Sequence, residues 1–171
     1  MKDIDVVDIK KFHSLAIELS KILIEEKWNL ATAESCTGGL ISKIITDISG
    51  SSGWFTNGII TYSNYSKVKL LNIDKDKIND TGVVSEIIAL DMAKNIMTMS
   101  GANISVGVTG IAGPGGGNDT KPVGTVCFGW ATKFEAISET CYFTGDREEV
   151  RYASVEKALY GLIEIANLST R

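Results

Sequence analysis

Ser35 follows the extended run Trp28-Asn29-Leu30-Ala31-Thr32-Ala33-Glu34 and precedes Cys36-Thr37-Gly38-Gly39, after which Leu40, Ile41, Ile44, Ile45 and Ile48 recur at helical spacing. That order reads as a strand, a tight turn and the start of a helix. A serine at such a junction lies beside the free amides and the positive dipole end of the helix, both of which stabilise nearby negative charge. If Ser35 attacked a carbonyl, the amides of Cys36 and its successors would face the developing oxyanion. The plainer assignment, that Ser35 caps the helix and the glycines allow close packing, fits the same residues.

A serine nucleophile needs a base. The chain contains a single histidine, His13, in an amphipathic N-terminal segment where a surface or core-edge helix position is expected. A zinc site built on histidines and a histidine-based triad are both disfavoured on that count, which leaves a lysine, a tyrosine or a carboxylate. Lys67 follows Tyr62 at a second strand-to-helix junction, and such strand ends gather along one edge of a sheet. A lysine acts as a base when burial or a neighbouring cation lowers its pKa toward neutrality. On spacing alone Lys69 and Tyr65 are rivals, and a solvated surface charge is the usual state of a lysine.

Two further segments have unusual composition. Thr109 to Gly117 follows a strand pattern and contains Gly110, Gly113, Gly115, Gly116 and Gly117, with Lys121 just beyond. Successive glycine amides can form a nest for an anion, although a flexible hairpin-like loop is the alternative and neither the Walker nor the dinucleotide pattern is matched. In Gly145-Asp146-Arg147-Glu148-Glu149, Asp146 is a plausible N-cap, which puts Arg147 in a first helical turn where a cation is disfavoured. A residue placed against its local preference points to phosphate or carboxylate binding, with pairing to Asp146 or Glu148 as the competing explanation.

The elements that must position these groups follow from periodicity. Residues from about Asp8 to Glu26 predict a helix through Phe12, Leu15, Ala16, Leu19, Ile22 and Leu23. Trp54 to Tyr62 reads as a strand, and Ser63 or Asn64 can cap a short helix carrying Lys67, Leu70 and Leu71. Ser85 caps a helix running to about Ser100, Ile104 to Thr109 is a strand, and the methionines are core filler or the start residue. Val123 to Ala131 and Glu135 to Phe143 form a hairpin, and a last helix begins near Asp146. The pattern predicts a three-layer α/β/α single domain over residues 1–171 with a mixed β-sheet.

Composition narrows the function classes. A 171-residue chain that is 44% apolar and 22% charged has material for one buried core. Its formal net charge of -4, with scattered basic residues, argues against a nucleic-acid partner. The acidic opening lacks the features of a secretory signal, and no apolar run approaches a membrane span, so a cytoplasmic protein without a membrane partner is expected. Cys36, Cys127 and Cys141 fit neither a metal nor a disulfide spacing and are read as free thiols.

Taken together, Ala33-Glu34-Ser35-Cys36-Thr37-Gly38-Gly39, Gly58-Ile59-Ile60-Thr61-Tyr62-Ser63-Asn64 with Lys67, Gly82-Val83-Val84-Ser85-Glu86, Gly110-Ile111-Ala112-Gly113-Pro114, Lys121-Pro122-Val123-Gly124-Thr125-Val126 and Gly145-Asp146-Arg147 resemble the CinA C-terminal domain family. These segments occur in the family's order and span nearly the whole chain. The resemblance implies that Ser35, Tyr62 and Lys67 act together, which selects Lys67 over Lys69 and Tyr62 over Tyr65. It implies hydrolysis of the carboxamide of nicotinamide mononucleotide (NMN), without metal or cofactor. Substrate contacts are expected from Cys36, Thr37, Gly38 and Gly39 around the oxyanion and from Thr109, Gly110, Gly113 and Arg147 around the nucleotide. A homodimer or higher homo-oligomer is likewise implied. Many members carry an additional N-terminal molybdopterin-binding-like domain that this sequence lacks; with all three triad positions filled, activity is expected. The competing assignments are a catalytically silent nucleotide-sensing or protein-interaction module, and a different amidase or esterase sharing the Ser-Lys chemistry.

Overall fold

A single mixed sheet of five strands forms the centre of the molecule, with strand order β2-β1-β3-β4-β5. The computed structural model describes residues 6–170, so the opening stretch 1–5, read above as acidic and unlike a signal, lies outside the described residues. In chain order the elements are α1 (Val6–Glu26), β1 (Leu30–Glu34), α2 (Leu40–Thr46), β2 (Phe55–Ile60), α3 (Asn64–Leu71), α4 (Lys75–Thr81), α5 (Glu86–Ser100), β3 (Ile104–Gly110), β4 (Thr125–Thr132), β5 (Ala136–Tyr142) and α6 (Arg147–Ser169). Among the described residues no helix is long and apolar enough to cross a membrane.

The expected three layers and mixed sheet are both present. β1 pairs in parallel with β2 on one side and β3 on the other, while β3-β4 and β4-β5 are antiparallel. Alternation along the strands sorts the core into two faces. Leu30, Val106, Phe128 and Trp130 meet α1, α2 and α6, whereas Ala31 and Ala33 pack with Leu71, Ile88, Met92 and Ile96 on the face covered by α3, α4 and α5. The expected N-terminal helix buries Phe12, Leu15, Ala16, Leu19 and Leu23.

This arrangement decides where a site can form. The chain leaves β1 toward α2 on one face and leaves the adjacent β2 toward α3 on the other, as the division of their apolar residues shows. Adjacent parallel strands whose connections part to opposite faces open a crevice at their carboxyl ends. Ser35 follows β1, Thr61 and Tyr62 follow β2, and Thr109 and Gly110 close β3 at that same edge.

Three expectations are corrected. The helix after Ser35 begins only at Leu40, because Gly38 and Gly39, with φ of 61° and 90°, adopt left-handed conformations that continue the turn. Helix α4 was not expected; of its seven residues only Ile78 is buried, so it shows no apolar period. Among the methionines Met92 is core, but Met99 is 53% exposed at the end of α5.

Helix α5 packs unusually close to the sheet. Gly107 of β3 and Gly129 of β4 are register partners, and a Cβ on either would collide with the α5 backbone, at Ala89 and Leu90 respectively. Neither strand nor helix backbone can yield without disturbing ladder or helical hydrogen bonds. Gly107→Ala is therefore expected to lower stability by about 1–3 kcal/mol by overpacking. Gly53→Ala, where an added Cβ would meet open space, should change it by less than about 0.5 kcal/mol. Urea unfolding of the two variants checks the contrast.

Candidate active site

Lys67 is anchored one turn into α3. The N-cap is Ser63, whose side chain accepts from the Ser66 amide while the Ser66 hydroxyl accepts from the Ser63 amide, so the start of the helix is fixed at both ends. From there the lysine side chain runs inward. It is 1% exposed; its Nζ lies 2.9 Å from the Ser35 hydroxyl oxygen and donates to the Thr61 carbonyl at 2.6 Å. Lys69 and Tyr65, the rivals on spacing, are both exposed.

Burial is what changes the chemistry of this amine. Removal from water penalises the charged form and lowers the Lys67 pKa from 10.5 to about 8, against a smaller opposing effect of the nearby Cys36 thiol. At pH 7 roughly a tenth of the molecules then hold a neutral amine, against about one in three thousand for a solvated lysine. A neutral amine can donate to the Thr61 carbonyl and offer its lone pair to the Ser35 hydroxyl proton. Burial pushes the neighbouring Cys36 thiol up to about 12, which disfavours its thiolate, with the Cys36 and Thr37 amides beside the sulfur pulling the other way.

The turn that carries Ser35 is held from within. The Ser35 amide donates to the Val108 carbonyl at 3.0 Å and the Gly38 amide to the Ser35 carbonyl at 3.0 Å. Glu34, fully buried, receives the amides of Gly39, Ile41 and Ser42 and the Ser42 hydroxyl at 2.6–3.1 Å. It is thus the cap of α2, reached from the end of the strand before it. The amides expected to serve the oxyanion are reduced accordingly. Those of Gly38 and Gly39 are committed to Ser35 and Glu34, while among the described residues those of Cys36 and Thr37 donate to no oxygen.

A cavity of about 210 Å³ opens beside Ser35, and Cys36, Tyr62, Lys67, Thr109, Gly110 and Arg147 line it. Thr37, Gly38 and Gly39, expected at the substrate, are not on its wall; they build the turn behind Ser35. Tyr62 stands at the mouth, 61% exposed, and its phenol oxygen accepts from Arg147 at 3.0 Å. The hydroxyl, phenol and amine share one cavity, but the direct hydrogen bond is between Ser35 and Lys67. A second depression of about 480 Å³ adjoins it, sharing Tyr62, Gly110 and Arg147 and adding Gly113, Gly116 and Lys121.

Arg147, at the first position of α6, points away from its acidic neighbours. Its guanidinium donates to the Gly113 carbonyl at 2.8 Å as well as to Tyr62, which joins the glycine loop to the end of β2. Thr109 lines the cavity while its hydroxyl donates to the Val83 carbonyl at 3.0 Å. Lys121 is not a free anion ligand: its amine donates to the Thr81 and Val84 carbonyls at 3.1 and 2.6 Å and braces that loop. His13 lies with α1 near Asp47, 3.9 Å away, and the three cysteines are free. Among the described residues no three His, Cys, Asp or Glu side chains gather as metal ligands would.

Sequence reasoning overlooked Glu34 and Arg151, whose guanidinium donates to the Thr37 carbonyl at 2.8 Å. A carboxylate directly before a helix-start pattern was the available signal for Glu34; Arg151 offered none.

The chain as a whole has recognisable relatives among known proteins. Residues 12–166 match the model of the CinA C-terminal domain. The chain is 47% identical over 143 residues to a protein named nicotinamide-nucleotide amidohydrolase PncC from Enterobacter agglomerans, covering 83% of this chain and 87% of that one. It is 50% identical to a CinA-like protein of Chlorobaculum tepidum over 83% of this chain but only 35% of that longer protein. The crystal structure of the competence/damage inducible protein CihA from Agrobacterium tumefaciens superposes with a TM-score of 0.88 at 38% identity, covering 92% and 96% of the two chains.

The capping role of Glu34 can be tested without any substrate. In Glu34→Gln the amide nitrogen cannot accept, so some of the donors gathered on the carboxylate lose their partner in a buried setting. A loss of about 2–3 kcal/mol is expected in urea unfolding, the range for hydrogen bonds to a buried charged group.

Proposed function

The chain belongs to the CinA C-terminal domain family, and from that membership and the site's geometry we propose that it hydrolyses the carboxamide of NMN to nicotinic acid mononucleotide and ammonia. The observation that carries the reading is the buried Lys67 amine 2.9 Å from the Ser35 hydroxyl at the wall of a cavity. A relative of 47% identity named for nicotinamide-nucleotide hydrolysis supports the choice of substrate.

The mechanism follows from the groups present. Neutral Lys67 takes the Ser35 proton as Oγ bonds to the carboxamide carbon, giving a tetrahedral adduct whose oxyanion faces the amide of Cys36 on the cavity wall. The adduct collapses with cleavage of the C–N bond, and the ammonium form of Lys67 returns the proton to the departing nitrogen. Water then attacks the acyl ester with Lys67 again as base, freeing the carboxylate and Ser35. The electron-poor pyridinium makes the carbon more electrophilic, and its positive charge favours the neutral amine. With the ring in the smaller cavity, the ribose and phosphate occupy the adjoining depression, where Arg147 has N–H donors beyond those used on Gly113 and Tyr62. The proposal takes residues 1–171 as one catalytic domain, working in the cytoplasm as a homodimer or higher homo-oligomer.

Incubation with NMN and an ammonia assay test the reading. Ser35→Ala should abolish ammonia release yet retain NMN affinity within about threefold, since the lost hydroxyl acts on the reacting carbon and not on the nucleotide. A fully active Ser35→Ala variant would end it.

The pH dependence has a definite sign. Lys67 works only when neutral, so protonation below its pKa removes the base. kcat/KM for NMN should rise about tenfold per pH unit below about pH 8 and level off above it. A flat profile from about pH 6 to 9 would exclude Lys67 as the base.

A further inference from the structure

Arg151 lies one turn beyond Arg147 on α6 and touches the nucleophile's turn away from the cavity wall. The peptide unit between Thr37 and Gly38 is held at both ends. Its oxygen accepts from Arg151 at 2.8 Å, and its N–H donates to the carbonyl of Ser35 itself at 3.0 Å. Arg151 is therefore linked to Ser35 through one peptide group. Gly38, whose φ of 61° turns that peptide into place, leaves room for the guanidinium: a Cβ there would stand 3.4 Å from Nη2 of Arg151.

The energetics point beyond simple anchoring. Arg151 Nε is buried with no hydrogen-bond partner, and so is the Thr37 hydroxyl. Native proteins seldom leave such groups unsatisfied, because each forfeits its hydration without return. Arg151 is half-buried, and holding one carbonyl while its Nε gives up hydration gains little stability by itself. Such a contact is a good device for orientation. With the 37–38 peptide clamped and its N–H bonded to the Ser35 carbonyl, the 35–36 peptide that carries the Cys36 amide on the cavity wall is restrained from turning away from the position where oxyanion charge develops, and the nearby cation favours that charge. Helix α6 thereby carries two arginines one turn apart, Arg147 on the cavity and Arg151 on the turn that presents Ser35.

We propose that Arg151 is a positioning residue for acyl transfer, acting through the Thr37–Gly38 peptide to fix Ser35 and the Cys36 amide beside it. The inference rests on the assignment of Ser35 as nucleophile. It does not depend on which carboxamide is the substrate.

Two readouts separate the ideas. A fluorophosphonate probe reports Ser35 reactivity directly, and NMN turnover reports kcat and KM. In Arg151→Met the labelling rate and kcat should fall together by about 10- to 100-fold with KM within about twofold of the parent. Arg151→Lys, which keeps a cationic donor, should recover part of both rates, and guanidinium ion at sub-denaturing concentration should accelerate Arg151→Met but not the parent. If Arg151→Met does not fold, Arg151→Lys decides by the same split, reduced labelling and kcat with unchanged KM. Parent-like labelling and kcat in the folded variant, or a loss shared by KM with no rescue by guanidinium, would overturn the inference. A parent protein whose Ser35 is labelled but which releases no ammonia from NMN would sink the proposed substrate, and leave the role of Arg151 to be settled by labelling.

Discussion

An ammonium group withdrawn from water is the constraint on which the rest of the site depends. A lysine with 1% exposure can be neutral near physiological pH or can be paired with a carboxylate, and here its Nζ meets a hydroxyl and a carbonyl instead. No carboxylate is among the causes that shift it. Pairing would have raised its pKa and disabled it as a base. The one buried carboxylate close by in the chain, Glu34, is turned to the other face of β1, where it caps α2. Alternation along a five-residue strand thus turns this acid to the α2 face, away from the face from which α3 brings Lys67.

The crevice gives that separation its geometry. Because β1 and β2 send their connections to opposite faces, the turn after β1 and the helix after β2 converge on the same sheet edge from different sides. Ser35 arrives on a turn tied to β3 through its amide, and Lys67 arrives on a helix capped by Ser63. Each group is fixed by hydrogen bonds made before the two meet. A hydroxyl and an amine preorganised in this way need little reorganisation if charge moves between them. The close approach of α5 over Gly107 and Gly129 secures the neighbouring strands β3 and β4, and with β3 the floor of the cavity at Thr109 and Gly110.

What the sequence disclosed follows the range of the forces involved. Ser63, Ser85 and Asp146 were recognised as caps, or as candidates, because a cap bonds to amides two or three residues away and leaves a local signature. The strands emerged from their apolar runs and the hairpin from its short link. The start of α2 was misplaced because two left-handed glycines postpone it, and glycine type does not announce the sign of φ. Helix α4 has too little buried surface to show a period. The choice of Lys67 over Lys69 came from family likeness, since both lie on the same short helix and only tertiary burial distinguishes them. Arg151 was invisible for a related reason: its partner Thr37 lies 114 positions away.

For the reaction proposed, a lysine in place of the more common histidine fits the demands of amide cleavage. The difficult step is expulsion of the amine, which must leave protonated or stay bound. The lowered pKa that would make Lys67 a usable base at neutral pH would make its conjugate acid a correspondingly stronger donor, so one environmental shift would serve attack and departure alike. A solvated lysine would bind its proton too tightly for either step. The same burial explains why the Thr61 carbonyl matters: it directs one N–H of the amine away from Ser35, so that in the neutral state the lone pair can face the hydroxyl. Tyr62 lines the same cavity with its phenol bonded to Arg147, so among the described residues the direct contact to Ser35 is made by Lys67 alone.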